Sequence, residues 1–208
     1  VTGLRIKGEQ EIGESKKNME EIASPAQLQY SGLAVFKKDK LIGWLNEEES
    51  KAYNYVVNHV KSTVGDVACP EGGKVSLEVI RSKTEVKGKL ENGKPRIDAN
   101  IRIEANVGGV ECYIDLTKTK TIDELEKITE QKVQGFIEET IKKVQKKYKV
   151  DIFGFGEVIH RSEPNYWKKV KSEWDQVFVN LPVDVNVDVK IRRLGTVSNS
   201  FLEEMKKK

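Results

Sequence analysis

The stretch RIDANIRIEANV, Arg96 to Val107, decides the fold. Ile97, Ala99, Ile101, Ile103, Ala105 and Val107 alternate with Arg96, Asp98, Asn100, Arg102, Glu104 and Asn106, the period of two that sends successive side chains to opposite faces of a strand. One face is apolar and the other polar, so the strand borders a core on one side and water on the other. Upstream, Asn92-Gly93 supplies residues that tolerate positive φ and so turn a hairpin. A polar strand around Thr84 to Leu90 precedes that turn, and Val75, Leu77 and Val79 alternate with Ser76, Glu78 and Ile80 before it. Downstream, Gly108-Gly109 breaks the strand, and Val110, Cys112, Ile114 and Leu116 resume the alternation. Strands joined by turns this short pair antiparallel, because a parallel crossover needs a dozen residues or more.

Helical signals flank these strands. Leu33 to Leu45 holds two apolar stretches separated by KKDK, the pattern of a hairpin with a charged turn. Asn46 with Glu49 forms a capping box, followed by Ala52, Tyr53, Val56, Val57 and Val60 on one helix face and an end near Lys61 to Gly65. Thr121 with Glu124 is a second capping box, opening a long helix to about Tyr148 through Leu125, Ile128, Val133, Ile137, Ile141 and Val144. Gly135 is its soft point, marking either close packing or a tolerated surface glycine. Asp151 caps a shorter helix through Arg161, and Pro164 opens a helix faced by Tyr166, Trp167, Val170, Trp174, Val177 and Phe178. Pro182 leads into a last strand in which Val183, Val185, Val187, Val189 and Ile191 alternate with polar residues.

The order implies an α+β fold, a largely antiparallel β-sheet packed against a long helix and several shorter helices. The valine strand belongs to the same sheet, although its neighbour is not fixed by the sequence. One core is expected to join Ile97, Ile101, Ile103, Val185, Val187 and Val189 to Leu125, Ile137, Ile141 and Trp174. Residues 1–30, with glycine at 3, 8 and 13 and Pro25, read as a lead-in segment of partial regularity, and 202–208 as a frayed tail.

The 36 basic and 33 acidic residues nearly cancel to +3, which argues against a dedicated nucleic-acid binder. No apolar run approaches the ~20 residues that span a bilayer. Cys69 and Cys112 read first as two half-buried free thiols and alternatively as a disulfide. His59 and His160 complete no triad or metal-ligand spacing, and no carboxylate pair stands out. Gly154-Phe155-Gly156 lacks the third glycine of a dinucleotide loop, and Gly72-Gly73-Lys74 lacks the rest of a P-loop. The glycines around Phe155 read instead as sites of close backbone approach. Nothing here points to an enzyme, a cofactor or a metal.

The words AVFKKDKLIGWL, KTKTIDELEK, DIFGFGEVIHR, YWKK and DVKIRRLGT, in this order and spacing from Ser31 to Phe201, resemble the C-terminal region of the Ger(x)C spore germination lipoproteins. The resemblance implies a C-terminal α+β domain over 31–201 in a non-catalytic subunit of a nutrient germinant receptor. It implies as partners two integral membrane subunits, A and B, and a place on the outer surface of the spore inner membrane. The signal peptide and acylated cysteine of that family match nothing here, so this chain is expected to be a portion of a longer lipoprotein. Such a subunit works through contacts, for which Trp44, Arg161, Trp167 and Arg193 are the candidate anchors by surface chemistry. Direct binding of a small nutrient and hydrolysis of a peptidoglycan-like polymer are the competing readings.

Overall fold

In the computed structural model, which describes residues 2–8, 16, 26–69 and 72–193, the chain divides into two compact units, residues 1–50 and 51–208. The first carries strands β1 (Thr2–Gly8), β2 (Ala26–Lys37) and β3 (Lys40–Leu45) in an antiparallel sheet of that order. Residues 2–8 and 26–30 of the lead-in are regular, because β1 pairs with β2, which starts ahead of Leu33. Residues 9–15, 17–25 and the expected frayed tail 202–208 lie outside the described residues. Lys38 turns the β2–β3 hairpin with φ 56°. Gly32, at φ 68°, is fixed as glycine because a Cβ there would sit 1.8 Å from the Leu45 carbonyl oxygen.

Helix α1 (Glu47–Val56) opens with the capping box read from the sequence. The Glu49 N–H donates to Asn46 Oδ1 and the Asn46 N–H to Glu49 Oε2, both at 2.9 Å. The helix ends earlier than its apolar spacing suggests, because Asn58 adopts φ 58° and the chain passes into a strand that its sequence does not advertise, β4 (Thr63–Ala68).

The second unit is built on a four-stranded sheet of order β4, β5 (Lys74–Glu91), β6 (Lys94–Val110) and β7 (Val183–Arg193). The first three pair antiparallel and β7 joins β6 in parallel. The two strands expected at 75–80 and 84–90 are one. A bulge at Ile80 between the Val79–Ala105 and Arg81–Glu104 pairs switches the inward set from Val75, Leu77 and Val79 to Ser82, Thr84, Val86 and Gly88. An extra residue flips the face of everything beyond it. Gly108-Gly109 works similarly: it does not break β6 but shifts its register, so Val110 comes opposite Val75 with both buried. No strand continues to Leu116; Cys112 and Leu116 are buried in an irregular segment instead.

That segment is held by a disulfide between Cys69 and Cys112, which corrects the free-thiol reading. The two cysteines lie in a cluster with Val67, Val75, Leu77, Ala105, Val107, Val110, Leu116 and Leu125.

The long helix α2 (Thr119–Lys143) begins two residues before the second capping box, with Lys118 at its N-cap and no side-chain cap. Asp115 fixes the approach by accepting from the Thr117 N–H and hydroxyl, so Thr121 lies inside the helix. A π-helical turn, Val144–Tyr148, completes the run, and Lys149 closes it with φ 52°. Gly135 meets no atom within 4 Å of an added Cβ and is the surface glycine of the two readings.

Helix α3 (Phe155–Ser162) crosses β5 at Gly88, where a Cβ would stand 2.7 Å from Ile159 Cδ1. The single aromatic helix expected after Pro164 is three pieces: α4 (Pro164–Val170), a 3-10 turn (Lys171–Glu173) and α5 (Trp174–Val179). Of its aromatic face only Trp174 and Phe178 are buried. Ile97, Ile101, Ile103, Val185, Val189, Leu125, Ile137, Ile141 and Trp174 are buried as expected, each large aliphatic contributing ~1.5–3 kcal/mol by leaving water. Val187, expected in the same core, is only half-buried, although Val185 and Val189 on either side of it in β7 are buried.

The opposite sheet face is polar and laced by cross-strand pairs: Lys89 with Asp98, Arg96 with Asp184, and Arg192 and Arg81 with Glu104. The outer edge of β7 is partly covered by α2. Glu130 Oε1 accepts from the Val189 N–H at 3.0 Å and Glu126 Oε1 from the Ile191 N–H at 2.8 Å, while Lys190 Nζ donates to Glu126 Oε2 at 2.8 Å. Side-chain acceptors thus occupy edge donors that would otherwise invite another strand.

Candidate interaction surface

The segment from Asp151 to Trp174 builds a rigid corner. Asp151 precedes the left-handed N-cap Gly154 (φ 79°) of α3, and its carboxylate does the capping from that distance. Oδ1 accepts from the N–H groups of Phe153 at 3.1 Å and Gly154 at 2.9 Å, and Oδ2 from Gly156 at 2.6 Å and from Trp174 Nε1 at 3.0 Å. An acid is favoured here because the first turn of a helix presents unpaired donors and the positive end of its dipole. One side chain thereby ties the start of α3 to the start of α5.

Gly156 makes this possible. An added Cβ would lie 2.7 Å from Trp174 Nε1 and 3.0 Å from the Trp167 ring, so the two indoles pack directly on its backbone. Trp167 and Trp174 meet edge to face at 5.2 Å, and His160 stacks on the outer side of Trp167 at 5.6 Å. Trp174 is buried, Trp167 half-buried, and His160 and Arg161 exposed. Glu157 joins the row, with Oε2 3.3 Å from His160 Nδ1 and Oε1 3.8 Å from Arg161 Nε. Lys168 and Lys169 follow in the last turn of α4. The result is an aromatic shelf whose inner ring is locked and whose rim carries Arg161, His160 and lysines.

Of the four candidate anchors, the structure brings Arg161 and Trp167 to one surface through His160. Trp44 lies on β3 in the other unit, opposite Ala34, and is 47% exposed. Arg193 ends β7 opposite Asn106, and its side chain lies outside the described residues. Its neighbour Arg192 is the arginine that finds an acid, donating from Nη2 to Glu104 Oε1 at 2.7 Å. That bond holds the Glu104 carboxyl below its ordinary range. The sequence reading missed Asp151 as the hub of the corner and Glu126 and Glu130 as caps of β7. Acids four residues apart, each following a residue on the buried face (Leu125 and Thr129), were the available signal for the latter pair. Among the described residues, no group of three His, Cys, Asp or Glu could hold a metal ion and no helix is long and apolar enough to cross a membrane.

A mixed four-stranded sheet, covered on one face by a long helix and closed by a tryptophan-locked helical corner, defines an α+β module of the kind seen in the crystal structure of the GerBC protein. That structure matches with a TM-score of 0.73 and 26% identity over 79% of this chain and 52% of its own. A family model described as "Spore germination B3/ GerAC like, C-terminal" matches residues 31–195. Spore germination protein KC of Bacillus subtilis (strain 168) is 32% identical over 99% of this chain and 51% of its own length. Spore germination protein B3 of the same organism is 28% identical over 81% of this chain and 46% of its own. The chain belongs to the Ger(x)C spore germination family. It spans about half the length of these relatives.

Proposed function

We propose that this chain is the contact-making C-terminal part of a C-type subunit of a nutrient germinant receptor, working without catalysis. The observation that carries the reading is the family match across residues 31–195, joined to a locked aromatic corner whose rim is left in water. A half-buried tryptophan on a rim that also carries an exposed arginine is the usual make-up of an interface hot spot. The partners are the integral membrane A and B subunits, and the site of action is the outer surface of the spore inner membrane. A lipid anchor carried elsewhere in the protein supplies only one of the two signals that stable attachment takes, and protein contacts supply the other.

The test is to place Trp44→Ala, Arg161→Glu, Trp167→Ala and Arg193→Glu singly in the full-length protein in spores. Folded variants that lose co-purification of the A and B subunits and slow nutrient-triggered germination support the reading. Normal assembly and germination with all four would put the contact surface elsewhere. Turnover of a glycan, ester or phosphate substrate, abolished by one His or carboxylate replacement, would replace it with an enzymatic one.

A further inference from the structure

The edge of β7 is covered over only half its length. In the parallel ladder the Ile97 N–H donates to the Pro182 carbonyl at 3.0 Å, which turns the even-numbered residues of β7 toward β6 and the odd-numbered ones outward. Val189 and Ile191 accordingly give their N–H groups to Glu130 and Glu126. Val183, Val185 and Val187 point the same way and, among the described residues, their N–H groups have no such partner. Val183 and Val185 line a groove of about 500 Å³ between β7 and the C-terminal half of α2, within the roughly 300–1,000 Å³ typical of binding pockets, and Val187 follows at its end.

The other polar groups of the groove are already engaged. Gln134 Nε2 donates to Glu138 Oε1 at 2.8 Å, Lys142 Nζ lies 3.8 Å from Glu138, and Asp184 is paired with Arg96. Gln145 Nε2 donates to the Phe178 and Leu181 carbonyls at 3.0 and 2.8 Å. Its charges are paired off, Glu138 with Lys142 and Asp184 with Arg96, so the groove has no net preference for a charged ligand. What remains is a row of backbone donors and acceptors repeating every second residue, about 6.6 Å apart, beside the apolar side chains of Ile141, Leu181 and Val185.

We propose that this groove receives an extended, uncharged segment of another polypeptide, with alternating apolar side chains, as a fifth strand beside Val183–Val187. The spacing of the free backbone groups matches only another extended backbone, and such strand addition is an established mode of peptide recognition. The carboxylates of Glu126 and Glu130 stop the added strand at Val189, which sets its register and limits it to about four or five residues. This docking site is separate from the corner at Trp167, and it stands or falls independently of the receptor reading.

The test uses the 208-residue chain and a fluorescein-labelled heptapeptide of alternating threonine and valine. Fluorescence polarisation should show saturable binding, and NMR should show slowed exchange of the Val183, Val185 and Val187 amides. N-methylation of the peptide's internal amides should weaken binding at least about tenfold, as loss of two or three backbone hydrogen bonds requires. Val185→Pro should weaken it similarly, because the lost N–H points away from β6 and proline is tolerated on such an edge. If that variant does not fold, the N-methylated peptide on the unaltered chain decides the matter. Absence of saturable binding, equal binding of the N-methylated peptide, or protection confined to other amides overturns the proposal. A dimer that forms without peptide and dissociates on Val185→Pro also overturns it, making the occupant a second copy of this chain.

Discussion

Two glycines in helices of the same unit should respond to alanine with opposite signs. Gly135 in α2 has open space around it, whereas Gly156 in α3 has Trp174 Nε1 at 2.7 Å and the Trp167 ring at 3.0 Å from an added Cβ. Glycine to alanine inside a helix stabilises by up to ~1 kcal/mol through backbone entropy, and Gly135→Ala should show that gain. At Gly156 the same gain meets an overpacking cost of ~1–3 kcal/mol. It also displaces the ring whose N–H donates to the Asp151 carboxylate, a bond to a charged group worth ~1.5–3 kcal/mol. The net for Gly156→Ala is a loss of ~1.5–5 kcal/mol once the helical gain is subtracted. With a urea slope of ~2–3 kcal/mol/M, the midpoint should fall by about 0.5–2.5 M for Gly156→Ala and rise by up to about 0.3–0.5 M for Gly135→Ala. Tryptophan fluorescence follows the transition, since Trp174 is buried in the native corner. Equal slopes with midpoints moving in the same direction would refute the packing argument.

Ile101→Asp should cost more than ~4 kcal/mol, because Ile101 is 1% exposed, whereas Val187→Asp on the half-buried outer strand should cost clearly less in the same urea titration. Replacing Cys69 and Cys112 together by serine should remove ~4 kcal/mol by the chain-entropy estimate for cysteines 43 residues apart, and a reductant added to the parent should reproduce the loss. Burial pushes the Tyr55 hydroxyl from 10.0 up to about 12. Its contribution to stability is therefore full below pH 10 and lost as the pH rises toward about 12, a decline that Tyr55→Phe should flatten in an alkaline titration. The Arg192 hydrogen bond lowers the Glu104 carboxyl, with the opposite sign. That stability is present above the ordinary carboxylate range and lost on acidification, and Arg192→Ala should abolish this part of the acid dependence.

The strand β6 was legible because every second residue from Ile97 to Val107 is apolar, and the Asn46–Glu49 box because both of its partners are local. Long-range causes were not. The bulge at Ile80 hides the continuity of β5, since a period that changes parity looks like two strands. In TVGDVA only Val67 is buried, so β4 leaves no alternation to read. The disulfide depends on where Ala68 and Val110 end their strands. The aromatic spacing after Pro164 suits one helix, yet the Trp174 bond to Asp151 anchors α5 separately from α4. Of the candidate anchors, Trp167 and Arg161 could be placed on one surface only once His160, next to Arg161 on α3, was found stacked on Trp167 of α4. Asp151 was legible as a cap but not as the acceptor that joins α3 to α5.

We propose that the exposed rim of the tryptophan corner holds the receptor together. The most direct test is quantitative co-purification of the membrane A and B subunits with the full-length protein carrying Arg161→Glu and Trp167→Ala together. The expected result is that a variant of native circular dichroism and normal abundance recovers far less of both subunits than the parent does. Undiminished recovery, with nutrient-triggered germination at the parental rate, would contradict it.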